Sequence, residues 1–261
     1  MNSVLLPSVA GAFYPQEPET LATMIDELLD EQEPLPQPVP KAIIAPHAGY
    51  IYSGPVAASA YRQLLLPNRI HRVVVLAPAH RVPFRGLATT SADWMRTPLG
   101  DIPVDRSAVQ QALALPQVQE FDGAFAGEHA LEVQLPFLQR TLNDFSIVPF
   151  IVGQASAEEV SEVLDQLWDG EETLIVISSD LSHFLDYHSA RTRDQHTSMA
   201  IVELNPEAID FEDACGRIPV SGLLLSAREH GLQARNLDLR NSGDTAGDKS
   251  RVVGYGAYVF N

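Results

Sequence analysis

The chain has 261 residues, 45% of them apolar and 20% charged, the composition of a globular protein and not of a disordered one. Its 34 acidic side chains outnumber 17 basic ones, and the resulting formal charge of -17 repels phosphate backbones and anionic headgroups, which argues against nucleic acid or a membrane as partner. A single cysteine, Cys215, rules out an intramolecular disulfide and a cysteine-only zinc site, and neither a basic leader nor an apolar run of about 18 residues is visible. The expected location is the cytoplasm.

After an irregular start around Pro7, Gly11 and Pro15, the stretch PETLATMIDELLDEQ sets Leu21, Met24, Ile25, Leu28 and Leu29 at helical spacing with an acidic outer face. The following EPLPQPVPK carries four prolines in seven residues, which remove backbone donors and impose a stiff, extended connector before Lys41. From there a grammar recurs: a short apolar run, small residues or proline, a polar side chain, then a helical segment. KAIIAPHAGY leads into PVAASAYRQLLL, HRVVVLAPAH follows, FSIVPFIVG leads into SAEEVSEVLDQLW, and TLIVISSDLSH leads into a long helical stretch. Continuous apolar runs alternating with helices predict strands buried on both faces: an α/β fold, residues 1–261 as one domain, with a central mostly parallel or mixed sheet flanked by helices. GLATTSADWMRTPLGDIPVD reads as extra strands and turns, and RVVGYGAYVF alternates like a final strand. SGDTAGDKS is glycine-rich but lacks the spacing and lysine position of a phosphate-binding loop.

The chemistry is expected where the histidines fall. His47 ends one apolar run, His80 ends another, and Asp180 with His183 follows a third. In open α/β sheets ligands bind at the carboxyl ends of the strands, so these groups are expected to converge there. One loop histidine is ordinarily a hydrogen-bonded or capping residue; three in the same context point to a site, and small neighbours such as Ala45, Pro46 and Gly49 admit a close approach. Imidazole donors select a transition metal over magnesium or calcium. Two histidines with one carboxylate leave coordination positions open in non-haem iron enzymes, and Asp180, Asp244, Asp248 and Glu132 are the carboxylate candidates. In GEHALEVQLPFLQ, His129 and Glu132 stand three apart on one helical face, as groups that support the ligands or touch substrate. Cys215 reads as small, buried and inert, and Arg217 as a conceivable anchor for a substrate carboxylate.

Taken in order, PSVAGAFYP, IAPHAGYIYSG, VVLAPAH, EHALEVQLPFL, ISSDLSHF, CGRIP, SGDTAGD and VVGYGAY resemble the Memo family, whose bacterial and archaeal members are often called AmmeMemoRadiSam system protein B. The resemblance runs from about residue 5 to the C-terminus. It implies a fold shared with class III extradiol dioxygenases, which use non-haem Fe(II) to open aromatic diols. By the same resemblance His47 and His80 match the two metal-binding histidines, and His183 matches a third pocket histidine that serves as acid/base group, with Asp180 able to orient it. A third protein ligand is placed in SGDTAGD, where no cysteine stands, and Asp244 is the expected carboxylate; Thr245 lies one residue away in the register, and Asp248 is a further substitute. The expected cofactor is Fe(II), with copper or zinc as alternatives. The expected partner is a small-molecule substrate, an aromatic diol by the resemblance, which also implies a radical SAM enzyme or an AMMECR-type protein as partner and is compatible with a homo-oligomer. A non-catalytic metal- or peptide-binding protein and a metal-assisted hydrolase are the rival functions.

Overall fold

The computed structural model describes residues 3–36, 38–65 and 69–261. Four strands form its centre: Ala42–Ala45, Arg72–Pro78, Ser146–Val152 and Thr173–Ser178, all mutually parallel where they pair. Their order is Ala42–Ala45, Thr173–Ser178, Arg72–Pro78, Ser146–Val152. Apart from Arg72 and Ser146, each at the first position of its strand, every residue in them is buried, which is why they read as unbroken apolar runs and not as alternating ones. Side chains such as Ile43, Ile44, Leu76, Ile175 and Ile177 are fully enclosed, each contributing roughly 1.5–3 kcal/mol of burial, so the strand ends sit on a rigid base.

The sheet is mixed. The final strand, Val252–Phe260, runs antiparallel against Ala42–Ala45 and also pairs with Ala234–Asn241 and the short His183–Leu185. At the other edge Leu87–Thr89 is antiparallel to Ser146–Val152 and parallel to Val118–Glu120, completing nine strands. Part of the segment expected to add strands forms a separate three-stranded sheet, Val4–Leu5 with Trp94–Thr97 and Gly100–Pro103.

Helices cover both faces. The predicted amphipathic helix spans Pro18–Asp30 and buries Leu21, Ile25 and Leu29. The proline-rich connector, apart from residue 37, which lies outside the described residues, forms neither helix nor strand. Helices Ala157–Gln166 and Arg217–Glu229 pack so closely that a Cβ on Gly222 would meet Val160 at 2.3 Å. That contact fixes the start of the second helix, and with it Cys215, beside the end of the strand Thr173–Ser178; the Gly216 amide donates to Ser179 Oγ at 3.0 Å. Among the described residues no helix is long and apolar enough to cross a membrane.

Candidate metal centre

In-register parallel strands deliver their following loops to one edge: Ala45 is opposite Ser178, and Leu76 is opposite Ile177. His47 and His80 follow two of these strands within a few residues. Ring nitrogens of His47, His80 and His129 lie within 4.8 Å of one another. The His47 ring meets the other two edge-on, with centroids 5.2 Å and 5.4 Å away, while His80 and His129 are stacked at 5.0 Å. Phe13 covers His129 from outside, 4.6 Å between centroids.

Hydrogen bonding decides which nitrogen each ring offers. His47 Nδ1 is 2.8 Å from Ser178 Oγ, and that hydroxyl donates its only proton to the Ala130 carbonyl at 2.6 Å while accepting from Gln134 Nε2 at 2.8 Å. Ser178 can therefore only accept from His47, so Nδ1 carries the proton and Nε2 is left with a lone pair. His80 Nδ1 lies 2.9 Å from Glu128 Oε1, an acceptor, which assigns the same tautomer. Glu128 also accepts from the His80 amide at 2.6 Å and from the Ala130 amide at 3.1 Å, capping the short helix His129–Glu132. Burial would raise this carboxyl, but the hydrogen bonds from the His80 ring and amide outweigh burial and bring it down to about 2.

His129 is different. Its buried Nδ1 is 3.5 Å from Glu128 Oε1, outside hydrogen-bond geometry, and has no other partner. A buried, unpartnered ring nitrogen beside the Nε2 lone pairs of two neighbouring rings is the donor set a transition ion requires. Burial and the neighbouring His47 hold His129 down at about 4, and burial with His80 pushes His47 well below the ordinary histidine range, so both rings are neutral and ready to ligate near pH 7. The residues present fit a metal ion.

The remaining predicted groups divide. His183 donates Nδ1–H to the Leu181 carbonyl at 2.8 Å, leaving Nε2 as a base. Asp180 is buried, and its Oδ1 accepts from the His47 amide at 2.7 Å, with Oδ2 3.9 Å from His47 Nε2; it braces the His47 loop, and its carboxylate makes no hydrogen bond to His183. Burial raises its carboxyl. Asp244 is not brought to the histidines: its carboxylate accepts from Tyr187 Oη at 2.5 Å and from the Asn241 amide at 3.1 Å, closing a capping box at the helical turn Ser242–Thr245. Thr245 bonds the Ser242 carbonyl and Asp248 the Ser250 amide, both within that loop. Glu132, expected to support the ligands or touch substrate, instead clasps the N-terminal segment through the Ser8 and Val9 amides and Tyr14 Oη. Arg217 opens its helix with a buried Nε that has no partner.

Sequence reasoning missed four contributors. Glu128 precedes His129, and its only signal is a capping-type residue ahead of a short helix. Ser178 and Gln134 look like ordinary core polar residues. Cys215, read as inert, places Sγ 3.2 Å from His47 Nε2, and burial together with the Asp180 charge pushes its thiol up, so it is a protonated donor to that lone pair.

Comparisons with known proteins agree with this architecture. A computed match to an uncharacterised Escherichia coli K12 protein of known structure covers 84% of this chain and 98% of that one with a TM-score of 0.55 at 13% identity, a likeness of fold alone. A MEMO1 family protein of Aquifex aeolicus is 37% identical over 97% of this chain and 98% of its own length, and one from Ignicoccus hospitalis is 34% identical over 97% of each. Residues 6–259 match the family model described as Memo-like protein, and the chain belongs to the Memo family.

Proposed function

We propose that the chain is a transition-metal protein whose ion is held by His47, His80 and His129, and that it acts as a non-haem iron oxidoreductase of the extradiol-dioxygenase type on a small aromatic diol. The observation that carries the metal reading is the pair of proton locks, Ser178 and Glu128, each taking a Nδ1 proton and leaving Nε2 as the basic nitrogen of two rings that cluster with His129, one nitrogen of each within 4.8 Å of the others. Three imidazole donors suit iron, copper or zinc, and the resemblance to dioxygenases favours iron. Bound iron would supply Lewis acidity and the redox capacity to use dioxygen. The chain's own residues do the rest. His183 Nε2 accepts a hydroxyl proton while its Nδ1 stays tied to Leu181; Asp180 keeps His47 in place through its amide; and the Phe13 ring shields His129 from water. Substrate is expected to enter at this strand edge in the cytoplasm.

Protein purified without air and analysed for metal tests the reading directly. About one iron per chain is expected, lost on His47→Ala, His80→Ala or His129→Ala, with oxygen uptake on catechols lost but metal kept in His183→Ala. Full metal content in all three alanine variants would reject the centre. A second reading, a soft-metal binding protein without turnover, is favoured by the Cys215 thiol at 3.2 Å from His47 Nε2. Copper retained by the wild type, released by Cys215→Ser and accompanied by no oxygen uptake would establish it in place of the first.

A further inference from the structure

The short strand His183–Leu185 pairs with Val252 and Val253 out of step: His183 is opposite Val253 and Leu185 opposite Val252. Phe184 is thus the extra residue of a bulge, and its φ is +61°, a left-handed conformation that glycine adopts freely and a bulky side chain resists. In a regular strand His183 and Phe184 would point to opposite faces. Here the bulge sets their rings edge to face with centroids 5.6 Å apart, beside the proton-handling histidine. Phe184 is 62% exposed. Arg251, also exposed, holds its guanidinium 5.0 Å from that ring centroid and forms no ion pair with any described carboxylate. A strained backbone and a phenyl ring in water are both unfavourable in the free chain, and glycine at this position would remove both.

We infer that Phe184 and Arg251 form the outer wall of the histidine pocket, and that they select an aromatic ring carrying a carboxylate. This rests on the reading of the pocket as a site for a small aromatic substrate. The exposed ring offers an offset or edge-to-face partner for the substrate ring. The guanidinium offers a planar fork for its carboxylate, and in a chain of charge -17 an unpaired arginine at this mouth is what lets an anion approach.

The test is binding of benzoate, 3,4-dihydroxybenzoate and catechol to the iron-loaded full chain without air, by titration calorimetry and ligand-observed NMR. Phe184→Gly keeps the bulge and should melt at or above the wild-type temperature, yet bind all three about fivefold or more weakly. Arg251→Gln should weaken the two carboxylates about fivefold or more and leave catechol unchanged. Wild type that binds neither carboxylate, Phe184→Gly that binds all three as wild type does, or Arg251→Gln that weakens catechol equally would each overturn the inference. Benzoate bound as tightly as 3,4-dihydroxybenzoate, with both variant effects intact, would uphold the inference and reject the diol substrate.

Discussion

Replacing Glu128 by glutamine tests the proton lock on His80 with almost no change of shape. The wild-type carboxylate is fully enclosed and accepts three hydrogens, from His80 N at 2.6 Å, His80 Nδ1 at 2.9 Å and Ala130 N at 3.1 Å. An amide cannot accept all three, because one of its ends is a donor. If the amide nitrogen faces His80 Nδ1, that nitrogen must become the acceptor and the proton moves to Nε2, the atom needed by the metal. If it faces the His80 amide instead, two donors oppose each other in a buried site. Either arrangement weakens the centre, and loss of such a supporting carboxylate typically lowers metal affinity about 10- to 100-fold, or about 1.4–2.7 kcal/mol. Competition for Fe(II) or Zn(II) against a chromogenic chelator at pH 7.5 reads this, with circular dichroism to confirm that the fold is kept. Affinity in Glu128→Gln within about twofold of wild type would refute the assignment of tautomer and with it the argument that His80 Nε2 is a ligand.

Three other outcomes follow from the same geometry. Asp244→Ala should leave metal content unchanged and reduce stability by about 1 kcal/mol in urea melts, since its carboxylate caps a helical turn and holds Tyr187; loss of the ion would return Asp244 to the ligand set. Asp194 is pushed up to about 6 by burial, so between its ordinary value near 3.8 and 6 the folded state holds the extra proton and stability falls as pH rises. Asp194→Asn should therefore gain on wild type from pH 4 to pH 7.5 by at most about 3 kcal/mol, and a constant difference across that range would contradict it. In the metal-free protein, nitrogen-15 shifts should report Nδ1-protonated rings at His47, His80 and His183 near pH 7.5; a majority of the other tautomer at either ligand would contradict the hydrogen-bond assignment.

Most of the sheet could be read from the sequence because burial on both faces writes itself as a continuous apolar run. The segments ending at Ala45, Pro78, Val152 and Ser178 are strands for that reason. Their parallel order was not legible, since pairing depends on contacts far apart in the chain. The antiparallel final strand shows the same limit: RVVGYGAYVF announces a strand, but its place beside Ala42–Ala45 is set by register across more than 200 residues. The small second sheet was equally hidden, because Val4–Leu5 is too short to carry a period of its own.

The site was legible to the same depth. Strand ends announced His47 and His80, and helical spacing put His129 near them in kind though not in place. Asp244 was misleading for a local reason: a glycine-rich turn looks equally suited to presenting a ligand or to closing on itself, and here the Asn241 amide and Tyr187 take both carboxylate oxygens. What no local pattern reveals is the direction of a ring. His47, His80 and His183 are each tied through Nδ1, to a serine hydroxyl, a glutamate and a main-chain carbonyl respectively, and only the last partner is a sequence neighbour. Of these four histidines only His129 has an Nδ1 without a hydrogen-bond partner. In the proposed centre two rings are thus fixed before an ion would arrive and a third is free to adjust, so folding would bear most of the ordering entropy and leave one ligand to accommodate the ion's size.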